Sequence, residues 1–312
     1  QNALDANTTA NYNTAVGTSA LGANTTGASN TAFGTNAMIS NTTGTLNTAL
    51  GFESLYTNVD GDNSTAVGYQ ALFSQEPASN VDMYNVMVGH TAGYALSTGI
   101  RNVGVGASVL QGAVTGNDNV AVGHVALAAN TSGASNTAVG AYALDANTTA
   151  SYNTAVGKST LYTNTGSGST AIGYLAGENL TNSGYHVIIG SYAGQALTGT
   201  VGNGTIAIGY NAIGGNAIGT GNTAVGYKSM QTAEAAGFSL NTTLGYHTMR
   251  SIGSSAASDN VVIGYEAGDD MTNTSYNIII GSYAGAKLTT GQYNTAVGYQ
   301  ALYTATGLGS NV

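Results

Sequence analysis

Four histidines, a pair of adjacent aspartates and 20 tyrosines are the side chains of this 312-residue chain best suited to chemistry. A metal centre needs three or four ligands converging on one ion. His90, His124, His186 and His247 lie in separate segments, and nothing in their spacing makes them converge. Asp269-Asp270 is the densest acidic pair. It could touch a cation, but it reads better as a solvated turn. There is no phosphate-cradling glycine loop with its lysine, no His-Glu-x-x-His and no Gly-x-Ser-x-Gly. With no cysteine, thiol chemistry and disulfides are excluded. The expectation is a non-enzyme with no catalytic residue, no metal and no cofactor.

The tyrosines are more suggestive. Tyr69, Tyr174, Tyr210, Tyr227, Tyr246, Tyr265 and Tyr299 each follow a glycine of one recurring motif, and Tyr192 and Tyr283 sit one residue later. Stacked along a repetitive fold they would form an aromatic stripe. A tyrosine has an apolar ring and a hydroxyl, which suits contact with sugars. Tyr227, Tyr246, Tyr265 and Tyr299 are the candidate glycan contacts; the competing reading is that the rings shield the shoulder of the fold. Rows of threonine such as Thr14, Thr31, Thr48 and Thr65 raise ice binding. They share a column with Val86, Val103 and Val120, and a face with aliphatic residues, so they are expected to line a core. The Asn-Thr-Thr triplets match glycosylation sequons, but turn chemistry accounts for them.

The elements that position these residues come from a repeat. The motif polar, β-branched, small, aliphatic, Gly runs from Asn13-Thr14-Ala15-Val16-Gly17 to Asn294-Thr295-Ala296-Val297-Gly298 and occurs 17 times, mostly at steps of 17 residues. The longest step spans Gln75-Glu76-Pro77-Ala78, and a loop insertion is expected around 73–84. Alternation and β-branching predict a short strand in each repeat. Asn fills the first motif position in 13 of 17 repeats, which predicts hydrogen-bonded ladders of stacked amides. After each glycine a second short element is expected, read as Ala20-Leu21 or Ala71-Leu72. A variant, Ala92-Gly93, delays its large apolar residue to Leu96. Turns such as Asn24-Thr25-Thr26-Gly27 close each repeat.

A unit this short cannot bury a core alone and must stack on its neighbours. The predicted fold is all-β: a parallel β-solenoid or β-roll of about 17 coils, one repetitive segment over residues 1–312, rising roughly 4.8 Å per coil. A thin roll of one chain buries little apolar surface for the backbone it orders. A homo-oligomer is therefore expected, with the alanines between the β-branched and aliphatic columns as its seam. Charged residues are only 6% of the chain, with 5 Lys+Arg and a net charge of −9. That argues against a nucleic-acid partner. No apolar run is long enough for a membrane-spanning helix.

The unit Asn294-Thr295-Ala296-Val297-Gly298-Tyr299-Gln300-Ala301-Leu302-Tyr303 resembles the repeats of phage and prophage tail-fibre proteins. It is also similar to the shorter head repeats of YadA-like trimeric autotransporter adhesins. The resemblance runs over essentially the whole chain. It implies a left-handed roll, three chains about one axis, other fibre or baseplate proteins as partners, and attachment to a host surface. It places the chain in a virion tail fibre, or alternatively on a bacterial surface. The heptad stalk and membrane anchor of an autotransporter are not found here, nor the self-cleaving chaperone domain that often ends such fibres. Gln1-Asn2-Ala3-Leu4 begins just past where a repeat glycine would stand, and Ser310-Asn311-Val312 stops inside a further motif. The expectation is a segment of a longer fibre.

Overall fold

The computed structural model describes residues 2–181, 184–198, 203–215, 219–232, 238–251 and 257–309. Gln1 and Ser310-Asn311-Val312 therefore lie outside the described residues. The chain divides into two compact units, Gln1–Asn153 and Thr154–Val312, built from the same coil. It is a parallel β-solenoid with a 17-residue repeat.

In the first unit the motif forms eight three-residue strands: Thr14–Val16, Thr31–Phe33, Thr48–Leu50, Thr65–Val67, Val86–Val88, Val103–Val105, Val120–Val122 and Thr137–Val139. Each pairs in parallel with the next, and like residues face like. Thr31 lies opposite Thr48, Ala32 opposite Ala49 and Phe33 opposite Leu50. The second unit repeats this from Thr154–Val156 to Thr295–Val297. It adds a small parallel sheet of Asn273–Ser275, Thr290–Gln292 and Gly307–Gly309. Among the described residues there is no helix.

The strand faces are the reverse of the expectation. The alanine points inward: Ala32, Ala49, Ala66, Ala121 and Ala138 have no exposed surface. The flanking columns point out, with Phe33 54%, Leu50 45% and Val105 40% exposed. The threonines therefore do not line a core, and the alanines cannot be a seam between chains. The reason is thickness. The far side of each coil contributes Leu21, Leu55, Leu72, Leu110 and Leu127, all fully buried, so a strand facing them has room only for a small side chain.

Core volume is balanced between the two layers. Where Met87 replaces the alanine, an added Cβ at Gly93 would lie 2.9 Å from its side chain. Ile188 abuts Gly177 and Gly194 in the same way, Val262 abuts Gly268 and Ile279 abuts Gly285. The large residue lost from the turn layer reappears as the delayed leucine: Leu96, Leu180, Leu197 and Leu288 are fully buried.

The element after each glycine is a run of turns rather than a second strand. Ser19 and Leu21 have φ of 57° and 50°, left-handed values that Leu adopts at a cost of roughly 1–2 kcal/mol. The backbone bonds alternately within and between coils. Ala20 N–H donates to Gly17 O (3.3 Å), and Leu21 N–H to Ala37 O (3.0 Å). This lets the adjacent Ala20 and Leu21 both point inward, which a strand forbids.

The motif glycine is demanded by stacking. Gly106 has φ of 138°, and a Cβ there would sit 2.6 Å from the Gly123 carbonyl oxygen of the next coil. Within the insertion expected around 73–84, exposed bends fall at 78–80. The coil is restored where Asp62 N–H donates to Val81 O and Met83 N–H to Asp62 O, both at 3.0 Å.

Candidate functional site

Two ladders of buried amides run inside the coils, and they decide which surface is left for function. In the expected one, Asn119 donates through Nδ2 to Asn102 Oδ1 (3.0 Å) and Gly133 O (2.9 Å). Its Oδ1 accepts from the backbone N–H (3.0 Å) and Nδ2 (3.1 Å) of Asn136. The second ladder is formed by the turn asparagines, for which the sequence reading expected turns but no ladder. Asn24 and Asn41 are fully buried; Asn41 Nδ2 donates to Asn24 Oδ1 (2.9 Å) and Gly44 O (3.0 Å). The amides of Asn24 and Asn41 are engaged in the interior, whereas Asn7 of the Asn7-Thr8-Thr9 triplet is exposed. The missed signal was their recurrence at the repeat spacing (Asn7, Asn24, Asn41, Asn58), which a solvated turn does not require.

One exception to the first ladder is compensated by a neighbouring side chain, whereas the buried Thr205 hydroxyl in the same column has no partner. Ser64 is too short to reach the next coil, and Gln75 supplies the amide. Its Nε2 donates to Asn58 Oδ1 (3.1 Å), and its Oε1 accepts from Asn85 Nδ2 (3.0 Å). His186 also stands in this column. It is 1% exposed, and its Nδ1 accepts from the Thr205 backbone N–H at 3.2 Å. Burial lowers its pKa from 6.5 to about 4. The folded state thus holds the neutral ring, while an unfolded chain binds a proton below pH 6.5. Stability conferred by the neutral ring is complete above pH 6.5 and falls as pH drops towards about 4, by about 3 kcal/mol in all. We expect His186→Asn to flatten that part of the stability profile of the second unit. Urea titrations from pH 7 to pH 4 measure it.

The aromatic column forms, and its geometry limits what it can offer. Tyr210, Tyr227, Tyr246 and Tyr265 stack face to face, with centroids 5.3, 5.0 and 5.2 Å apart and planes within 14°. Each ring is about two-fifths exposed: 43%, 39%, 42% and 43%. The faces of Tyr227 and Tyr246 are covered on both sides, so a ligand meets ring edges and hydroxyls. Tyr299 differs: it is 71% exposed and meets Tyr283 only edge-on at 6.3 Å. The other histidines continue the aromatic theme. His90 stacks on Tyr69 in a run with Phe52, and His124 meets Tyr142 edge-on. Lys228 Nζ lies 5.4 Å from the Tyr227 ring centroid.

Beside this stack lies the largest charged group. Asp269 accepts from Arg250 Nη2 (2.8 Å) and Asp270 from Lys287 Nζ (2.6 Å), so both members of the acidic pair are held by cations of neighbouring coils. Burial raises the Asp269 pKa despite Arg250. Burial lowers that of His247, and Arg250 adds to the effect. A hydrogen bond to Glu266 pushes the Tyr265 phenol up to about 12. Among the described residues, no three His, Asp or Glu side chains are placed to hold a metal ion. Nor is any helix long and apolar enough to cross a membrane.

The remaining surface is the strand face itself. The outward residues of successive coils form two continuous columns, and a third precedes them. Tyr12 87%, Leu46 58%, Tyr84 51%, Tyr152 72% and Tyr293 57% exposed occupy the place just before the ladder residue. All five have φ between 51° and 63°. Large apolar side chains held outward at a strained backbone add to the exposed apolar face of the strands. No protein-family model matches the chain, and no curated protein matches it.

Proposed function

We propose that the chain is a structural shaft segment of a fibre, a virion tail fibre in the first instance, that assembles with copies of itself. The observation that carries this reading is the outward strand face of each unit, part-exposed in coil after coil, with Phe33, Leu50 and Val105 in the first unit and Ile172, Leu244 and Ile278 in the second each at least 40% exposed. A monomeric soluble protein rarely leaves such a contiguous patch to water. Flat, parallel, β-branched columns suit the same columns on another chain. Three copies, as the resemblance to tail-fibre and adhesin repeats implies, would enclose the face completely.

Under this reading the work of the protein is mechanical and no residue is catalytic. Backbone and amide hydrogen bonds join coil to coil, and the flank with Tyr227, Tyr246, Tyr265 and Tyr299 is where host glycans would touch. A bacterial surface adhesin or extracellular filament uses the same architecture and is the alternative; the domains flanking the segment in its full-length chain distinguish the two. Light scattering tests the assembly. The reading expects a mass of three chains; a folded 31.0 kDa monomer would overturn it.

The outward threonine column favours a second reading, a face that orders water as ice. Against it, Phe33 and Leu50 interrupt the flat array beside Thr31 and Thr48. Thermal hysteresis in a monomeric sample would move the assignment to this reading.

A further inference from the structure

The chain has no cysteine, so it has no disulfide with which to staple one coil to the next. It does hold tyrosines in pairs whose rings already lie against each other across coils. Tyr227 and Tyr246 are 5.0 Å apart at 8°, Tyr246 and Tyr265 5.2 Å at 6°, and Tyr276 and Tyr293 5.1 Å at 2°. The backbone keeps these rings in register. Lys228 N–H donates to Tyr210 O (2.9 Å), His247 N–H to Tyr227 O (3.0 Å) and Glu266 N–H to Tyr246 O (2.8 Å). Other neighbouring tyrosines are not so arranged: Tyr174 and Tyr192 meet at 90°, and Tyr192 and Tyr210 at 74°.

We propose that the stacked tyrosines Tyr210, Tyr227, Tyr246 and Tyr265, and the pair Tyr276 and Tyr293, are sites of oxidative dityrosine cross-linking between adjacent coils of one chain. The co-reactant is a one-electron oxidant of the peroxidase and hydrogen peroxide class. It removes one electron and one proton from each of two phenols. The two phenoxyl radicals join ortho carbon to ortho carbon. Each displaced ortho hydrogen then moves to its own phenolic oxygen, which restores both rings. The pair loses two hydrogen atoms in total, and one hydrogen peroxide is reduced to two waters.

Three features of the site favour this chemistry. Stacking holds the partner carbons together for the lifetime of the radicals, so coupling is intramolecular. The rings are 39–57% exposed, which admits the oxidant and leaves room for the tilt that bond formation needs. A carboxylate stands ready for a phenolic proton, since Glu266 accepts the hydrogen bond of Tyr265. The product would close short covalent loops along the stack, the service a disulfide gives other folds.

The test is peroxidase and hydrogen peroxide applied to the dilute full-length chain as an equal mixture of 14N and 15N protein. Dityrosine fluorescence is followed, and the linked peptides are mapped by mass spectrometry. We expect links within the two named clusters, each between peptides of the same isotope label, at least tenfold more abundant than links at Tyr12 or Tyr152. Tyr246→Phe should abolish the links to Tyr227 and Tyr265 and leave the Tyr276–Tyr293 link intact. That internal reference separates loss of a partner ring from loss of the fold. Links concentrated at the most exposed tyrosines, mixed-label links in the clusters, or no links there would each overturn the proposal.

Discussion

Asn119→Ala is expected to lower the stability of the first unit by about 3–5 kcal/mol, the largest effect of any single substitution considered. The alanine removes four hydrogen bonds at once, two donated by Nδ2 and two accepted by Oδ1. It leaves the Asn136 backbone N–H buried with no partner, which costs about 1–3 kcal/mol, while Asn102 Oδ1 keeps the Asn119 backbone N–H (3.0 Å) and the Gly133 carbonyl keeps Asn130 Nδ2 (2.9 Å). Local relaxation keeps the total below the simple sum. Asn13→Ala is the control: it lies half-buried in the first coil, donating to Gly27 O (2.7 Å) and accepting from Asn30 N–H (2.8 Å). Its loss should cost about 1 kcal/mol. Urea denaturation of the two variants measures the difference. Equal effects would mean that the ladder is not cooperative along the stack.

Replacing Phe33 with Glu and Leu50 with Lys in one variant should abolish assembly and leave the fold intact. Both side chains point outward, 54% and 45% exposed, on strands paired in register, so the new charges face water and each other. An interface that must bury them would have to desolvate two ions, at several kcal/mol each. The expected result is a fall in mass to that of one chain, with an unchanged far-ultraviolet spectrum. An unaltered mass would place the contact between chains somewhere other than the strand face. The reciprocal variant, Ala49→Leu, should disturb the fold instead, because Ala49 has no exposed surface and overfilling a packed core costs about 1–3 kcal/mol.

The repeat, the strand in each coil and the asparagine ladder were all legible because each is written in a column of the sequence. Seventeen motif glycines align without gaps in chemistry, and a parallel in-register stack turns every column into a row of like neighbours. The second ladder was equally present in Asn24, Asn41 and Asn58. It went unrecognised because Asn beside Thr and Gly is also the composition of an ordinary turn. The aromatic stripe was legible as an order of residues. Its covered ring faces were not, since ring orientation depends on what stands in the adjoining coils.

By itself the sequence determined that this protein is a parallel stack of short coils, where the glycines must fall and which residues repeat in line. A periodic chain with alternating small and β-branched residues has few other ways to satisfy its backbone. Only the tertiary structure decided which strand face is inside. Alternation says that Ala32 and its neighbours Thr31 and Phe33 point opposite ways, and hydrophobicity alone favours burying the larger pair. The coil is too thin for that. Leu21 and its equivalents, held inward from the far layer by left-handed turns, already fill the interior, so the alanines go in and the larger residues go out. Packing volume, a property of two layers meeting, overrode a preference that each strand carries on its own.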